Sequence, residues 1–238
     1  MSKAAEKASH GVIRDFGELE KLQSSQRGIK KFADKSRNRT VEIISEILSR
    51  SRPDVHIMQE GDQISEEEVW IIDPINGMIN FSRGIPHFSI SISLLENMNA
   101  SAGIILDPLR GEYYRCEIGR GAFVNNKSRL RVSGTKIIDN ALIATNLSPE
   151  HDASLVENGV ILRKIASISL DMAYVAAGKY DACIINETNL YEIAAGILLI
   201  REAGGFVRCE KTESRKYNIF TASSNELMEK LLSLYNTM

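Results

Sequence analysis

Trp70-Ile71-Ile72-Asp73-Pro74-Ile75-Asn76-Gly77-Met78-Ile79-Asn80-Phe81 is the most informative stretch of this chain. The apolar run from Val69 to Ile72 predicts a short buried strand. Asp-Pro follows, and proline has no N–H to give to a ladder, so the strand is expected to end there. A carboxylate at a strand tip, then a glycine turn and a helical turn, is an arrangement that suits phosphate. Asp73 is expected to project outward, while N–H groups around Gly77 and Met78 converge nearby. Mg²⁺ fits such a place, since it takes one or two carboxylates together with phosphate oxygens.

On the C-terminal side, Phe88-Ser89-Ile90-Ser91-Ile92-Ser93-Leu94 alternates with a period of two and predicts a half-buried strand with serines on one face. Strands at 101–106, 113–117 and 121–124, parted by Asp-Pro and glycine turns, suggest an antiparallel meander. A new strand at 142–145 opens the second half. A helix starting near Ser167 and Ser169, a strand at 183–185, and a long helix from Leu190 to Ala203 follow. Gly204-Gly205 is the stop signal for that helix. Phe206-Val207, strand 219–222 and a helix over 225–235 complete the pattern.

On the N-terminal side, residues 3–22 carry apolar side chains at helical spacing. Residues 23–39 are polar and basic (Arg27, Lys30, Lys31, Lys35, Arg37, Arg39), and helix is expected to resume at Val41 and stop before Pro53. A short strand at 56–59, then Glu60 and a solvated acidic loop through Glu68, lead back to the Trp70 strand.

Composition narrows the function classes. A net charge of −2 gives no global electrostatic case for nucleic acid or membrane. No apolar stretch approaches the roughly 20 residues of a membrane span, and the N-terminus lacks a secretory core. The three cysteines are far apart and predict reduced packing residues in a cytoplasmic protein. The four scattered histidines give little support to a zinc site or a Ser-His-Asp triad.

The central stretch resembles the D-P-x-D-G-T-x-N-F motif of the inositol monophosphatase family. Tyr191-Glu192-Ile193-Ala194-Ala195-Gly196-Ile197-Leu198-Leu199, continuing to Glu202-Ala203-Gly204-Gly205, looks like that family's W-D-x-A-A-G-x-L-L-x-x-E-A-G-G signature. Asp107-Pro108, Gly119-x-Gly121-Ala122 and Ala173-Tyr174-Val175-Ala176-Ala177-Gly178 are similar to its SuhB-like bacterial branch. The resemblance covers nearly the whole chain. It implies an α/β fold, the layered α/β/α/β/α sandwich of sugar phosphatases, with residues 1–238 as a single domain. Its subdomains would be about 1–140 (α+β) and 141–238 (α/β), and a homodimer is implied.

The same resemblance implies hydrolysis of a small phosphate monoester by two or three Mg²⁺ ions, inhibited by lithium. One ion activates the attacking water and a second steadies the leaving alkoxide. Carried over by position, Glu60 matches the first acid of the family's Glu-Glu pair, while Gly61 replaces the second. Asp73 matches the bridging ligand, and Glu60 with Asp73 would form the catalytic pair. Ile75 would give its carbonyl to metal; Asn76, at the second motif Asp, would be a weak metal ligand, and Glu192, at the C-terminal motif Asp, would hold metal with Glu60 and Asp73. Gly77 and Met78 would bind the phosphate through backbone N–H groups.

Several of these positions depart from the family pattern. Asn76 removes a negative charge from the cation site, which should weaken the second ion most. Met78 replaces a threonine hydroxyl that the family uses to orient water, and losing such a group costs ~10²–10⁴ in rate. Glu192 keeps its charge but is longer by a methylene. In Arg27-Gly28-Ile29-Lys30-Lys31-Phe32-Ala33-Asp34-Lys35-Ser36-Arg37, bases stand at Lys31 and Arg37 where the family has acids. Ile185 aligns with an acid that holds an inositol hydroxyl in the family. The expectation is therefore a weakened Mg²⁺-dependent phosphatase, or a pseudoenzyme. A second class is a SuhB-like regulatory protein whose basic segment contacts RNA or the transcription antitermination machinery.

Overall fold

Ala4, Ala5, Ala8, Val12, Phe16 and Leu19 recur at helical spacing and are all buried, on one face of helix α1 (Ser2–Lys21). In this computed structural model, which describes residues 1–21, 26–58, 68–125 and 127–236, helix α2 runs without a break from Gln26 to Ser51. The expected polar interval before Val41 is helical. Ala33, Ser36, Thr40, Ile44 and Leu48 form one buried stripe through it, so the lysines and arginines ride on the outer face of a packed helix. Arg39 reaches back to the buried Asp15 at 2.7 Å and ties α2 to α1.

Strand β1 (His56–Ile57) pairs in parallel with β2 (Val69–Asn76), and helix α3 (Met78–Ser82) follows Gly77. Strand β2 continues through Pro74 instead of ending at Asp73. Between Asp73 (opposite Ser91) and Asn76 (opposite Ser89) it takes three steps while its partner takes two. That bulge accommodates a residue with no N–H, and among the described residues β1 pairs only with Val69 and Trp70, away from Pro74.

The meander continues as β3 (Ser89–Glu96), β4 (Asn99–Asp107), β5 (Glu112–Glu117), β6 (Gly121–Val124) and β7 (Ser128–Arg129). The seven strands lie in sequence order. Strand β3 is buried on both faces, not half-buried as its alternation suggests. Ile90, Ile92 and Leu94 pack toward α1 and α2, and a second helix layer covers the side where Ser89, Ser91 and Ser93 point. Small hydroxyl side chains leave room for a close helix there.

The second half comprises β8 (Leu142–Thr145), α4 (Pro149–Glu157), β9 (Ile161–Arg163), α5 (Ile168–Ala176), β10 (Ala182–Thr188), α6 (Leu190–Glu202), β11 (Phe206–Lys211), β12 (Tyr217–Ala222) and α7 (Asn225–Asn236). Its five strands are ordered β11-β12-β10-β8-β9. Helices α5 and α6 lie between the two sheets: Met172, Val175, Ile193, Ala195 and Leu199 share a core with Ile105, Tyr114, Cys183 and Ile219. Helices α4 and α7 cover the outer face through Leu155, Leu227 and Leu231. The result is the five-layer α/β/α/β/α order. A close seam between layers lies at Gly103, where an added Cβ would stand 3.0 Å from Ala195 Cα.

No helix among the described residues is long and apolar enough to cross a membrane. All three cysteines are free; Cys116 and Cys183 are buried and Cys209 is exposed.

Candidate active site

The β2 bulge and the first turns of α5 and α6 are joined by hydrogen bonds, through side chains of the bulge and α5 and the Glu192 carbonyl of α6. Asp73 and Asn76 come from the bulge, and both are buried. Asn76 Nδ2 donates to Asp73 Oδ2 at 2.9 Å. Its Oδ1 accepts from Ser169 N–H and from Ser167 Oγ, each at 3.0 Å. Ser167 is the N-cap of α5. Ser169 Oγ donates onward to the Glu192 carbonyl at 2.9 Å, so one chain of hydrogen bonds joins three elements.

Glu192 sits in the first turn of α6, half-buried. Its Oε2 accepts from Asn189 N–H at 3.0 Å, Asn189 Nδ2 at 3.1 Å and Thr188 Oγ1 at 2.9 Å. The reach back to Asn189 N–H is that of an N3 acid in a capping box. The side chain is thus held in place by three hydrogen bonds from neutral donors.

Electrostatics mark the spot. Burial pushes the Asp73 carboxyl up to about 7; the Asn76 hydrogen bond opposes this, the Glu192 charge adds to it, and the Arg37 charge on α2 draws it down. Carboxylate oxygens are the donors that a hard divalent cation takes. Asp73 and Glu192 would be the anionic oxygens such an ion could take here. Among the described residues, no group of three or more His, Cys, Asp or Glu side chains converges. Glu60 and Gly61 lie outside the described residues.

Gly77 turns the chain from β2 into α3 at φ +91°. A Cβ there would meet His87 O at 3.1 Å and Ala166 O at 3.2 Å, so this turn requires glycine twice over. Ile75 is buried beside Asp73. Met78 does not join the polar chain. It packs against the α1–α2 core and lines a cavity of about 530 Å³ together with Ile29, Lys30, Asp34, Ile79 and Arg83. Ile185 is fully buried in the central core. Lys31 is exposed on α2.

Of the residues singled out from sequence, Asp73 and Asn76 bond to each other, the Glu192 backbone carbonyl is linked to them through Ser169, Gly77 and Met78 follow directly, and the Arg37 charge acts on Asp73. Ser167 and Ser169 signal only a helix start in the sequence, and Thr188 and Asn189 escape a motif-based reading. The Asn-x-x-Glu spacing at 189–192 is a capping signal that can expose the last of these. Nothing local links Asn76 to serines more than ninety positions away.

Comparison with known proteins agrees with this architecture. The sequence profile of the inositol monophosphatase family matches residues 2–237. The chain is 35% identical over 220 residues to an inositol-1-monophosphatase of Caulobacter vibrioides, covering 86% of each. It is 34% identical over 219 residues to a protein of Xylella fastidiosa named Nus factor SuhB, covering 87% of this chain and 79% of that one. The crystal structure of the extragenic suppressor protein SuhB from Bartonella henselae superposes with a TM-score of 0.86 at 31% identity, covering 99% of this chain and 96% of the other. A match over almost the whole length, in sequence and in fold, shows that the chain belongs to the inositol monophosphatase family.

Proposed function

We propose that this chain is a Mg²⁺-dependent phosphomonoesterase of reduced activity, acting on inositol monophosphate or a related small polyol phosphate. The observation that carries the reading is the buried Asp73 carboxylate, charge-coupled to Glu192 beside the Gly77 turn. When bound, Mg²⁺ would supply Lewis-acid stabilisation of the phosphoryl oxygens and an acidified water. Asp73 and Glu192 hold the position for it, Glu60 is assigned to the same ligand set by motif, and the Ile75 carbonyl is assigned there in the same way. The backbone around Gly77 and Met78 orients the phosphate.

Weak turnover follows from the same residues. Met78 offers a thioether where water must be oriented, and it is turned into an apolar contact. Arg37 brings a fixed positive charge toward Asp73, in competition with a metal ion. The test is phosphate release from inositol 1-phosphate, with and without Mg²⁺ and chelator. The same assay is run on a variant carrying Asn76→Asp, Met78→Thr and Glu192→Asp together. Slow Mg²⁺-dependent release in the parent and a gain of ~10²-fold or more in the triple variant are expected. Release that ignores chelator in both proteins sinks the reading.

A second reading is favoured by one observation: the basic segment is part of a continuous, packed helix, so Lys30, Lys31, Lys35 and Arg37 are displayed on a rigid scaffold. Relatives at 31–34% identity are named Nus factor SuhB. On this reading the chain is a regulatory protein contacting RNA or the transcription antitermination machinery, and α2 is the contact face. Salt-dependent RNA binding that weakens in Lys31→Asp/Arg37→Asp supports it. Binding that is indifferent to both charge reversals counts against it.

A further inference from the structure

Asn76 is placed so that only one orientation of its amide is chemically acceptable. Ser169 N–H is a backbone donor and points at it from 3.0 Å, so the atom facing Ser169 must be the oxygen. The nitrogen then faces Asp73 Oδ2 at 2.9 Å, where a carboxylate accepts it. Flipping the amide would set two donors against each other on one side and two oxygens on the other. The side chain is 2% exposed, so water cannot relieve either clash.

The oxygen of Asn76 is therefore committed to α5, and its nitrogen to Asp73. A carboxylate at position 76 could still accept from Ser167 and Ser169. Its second oxygen would then lie within hydrogen-bond distance of Asp73 Oδ2, with no hydrogen between them. Two buried carboxylate oxygens that close need a proton or a cation to bridge them.

We infer that Asn76 is a positioning residue and not a metal ligand: its side-chain N–H bridges to Asp73 in the place of one divalent cation. The site is thereby pre-assembled across β2, α5 and α6 with one fewer ion. This deepens the metal-dependent reading above and rests on it for the identity of the site.

The experiment counts bound Mn²⁺ per chain on the full-length protein, by spin resonance and equilibrium dialysis, and follows Tm in chelator and in Mn²⁺. Asn76→Asp should bind one more Mn²⁺ than the parent, melt lower in chelator, and regain more stability from Mn²⁺ than the parent does. Asn76→Ala serves where Asn76→Asp does not fold without metal. It should melt lower and bind Mn²⁺ about 10–100-fold more weakly, as outer-shell changes do, yet keep the parent's Mn²⁺ count at saturation, because no ligand has been removed. A parent with no Mn²⁺ beside an Asn76→Asp protein with one upholds the amide's role and sinks the metal-dependent phosphatase. Equal, non-zero counts in parent and Asn76→Asp, or a saturating Mn²⁺ count in Asn76→Ala one below the parent's, overturn the inference and leave the phosphatase reading standing.

Discussion

Gly196 of α6 lies directly against Met172 of α5: a Cβ added to Gly196 would stand 2.6 Å from Met172 Sδ and 2.7 Å from Met172 Cβ. This is the crossing point of the two central helices. Both of them present their first turns to the site, through Ser167 and Ser169 on one and Glu192 on the other.

Gly196→Ala is accordingly expected to destabilise the protein. Helix propensity alone favours alanine by about 1 kcal/mol. Overpacking costs about 1–3 kcal/mol, and Met172 Cβ, unlike its sulfur, cannot swing aside. The net loss should lower Tm by a few degrees, at about 2–4 °C per kcal/mol for a chain of this size. In a double-mutant cycle with Met172→Ala, a coupling of about 1 kcal/mol or more should appear; strict additivity would place the strain elsewhere.

Gly77→Ala should disable the turn itself. The residue holds φ +91°, and its Cβ would press on the carbonyls of His87 and Ala166. A non-glycine residue in this region costs about 1–3 kcal/mol. Calorimetry should record that loss, and phosphate release should fall further than stability does, because the displaced backbone is the proposed phosphate cradle.

Asp171 gives the protein a pH dependence separate from the site. It is 3% exposed on α5, its Oδ1 has no hydrogen-bond partner among the described residues, and burial pushes its carboxyl up to about 8. An unfolded aspartate titrates near 3.9, so between about pH 4 and 8 the folded state holds a proton that the unfolded chain has released. Stability from this group is fully present below the unfolded value and is lost as pH rises through the folded one. Each tenfold difference in proton affinity between the two states is worth about 1.4 kcal/mol, so the decline amounts to a few kcal/mol. Urea midpoints across that window should fall with pH in the parent and less steeply in Asp171→Asn, which keeps only the contribution of the raised Asp73 carboxyl. Parallel slopes in the two proteins would assign the pH dependence to other groups.

Asn189→Ala probes how firmly Glu192 is held. Both Asn189 N–H groups, backbone and side chain, bond to Glu192 Oε2. Losing the N-cap side chain should cost about 1 kcal/mol. If Glu192 is a ligand, its looser carboxylate should also weaken Mg²⁺ about 10–100-fold, as outer-shell changes do. A stability loss with Mg²⁺ affinity unmoved would remove Glu192 from the metal site.

Much of this arrangement is legible in the sequence because the signals are local. The apolar run into Asp73, the glycine turn after Asn76 and the Gly204-Gly205 stop each encode their own geometry. Family resemblance supplies the layer order. The misreadings come from places where packing overrules local chemistry. A basic stretch looks like a connection because its buried positions, Ala33, Ser36 and Thr40, are small or polar and carry little hydrophobic signal. Pro74 looks like a strand end because a bulge is invisible without the partner strand. Alternating serines look like a wet face because the helix pressed onto them comes from about a hundred residues downstream. The orientation of Asn76 cannot be read at all, since the partners that set it, Ser167 and Ser169, are more than ninety positions away.

The central helix layer has a mechanical consequence. Helix α6 comes from the second half of the chain, yet it buries Ala195 against Gly103 of the first-half sheet. Neither sheet can shed that layer without exposing its own inner surface to solvent. Amides of α5 and α6 should therefore be the slowest to exchange with deuterated water, opening only when the entire molecule does, while the outlying α4 and α7 trade their hydrogens early.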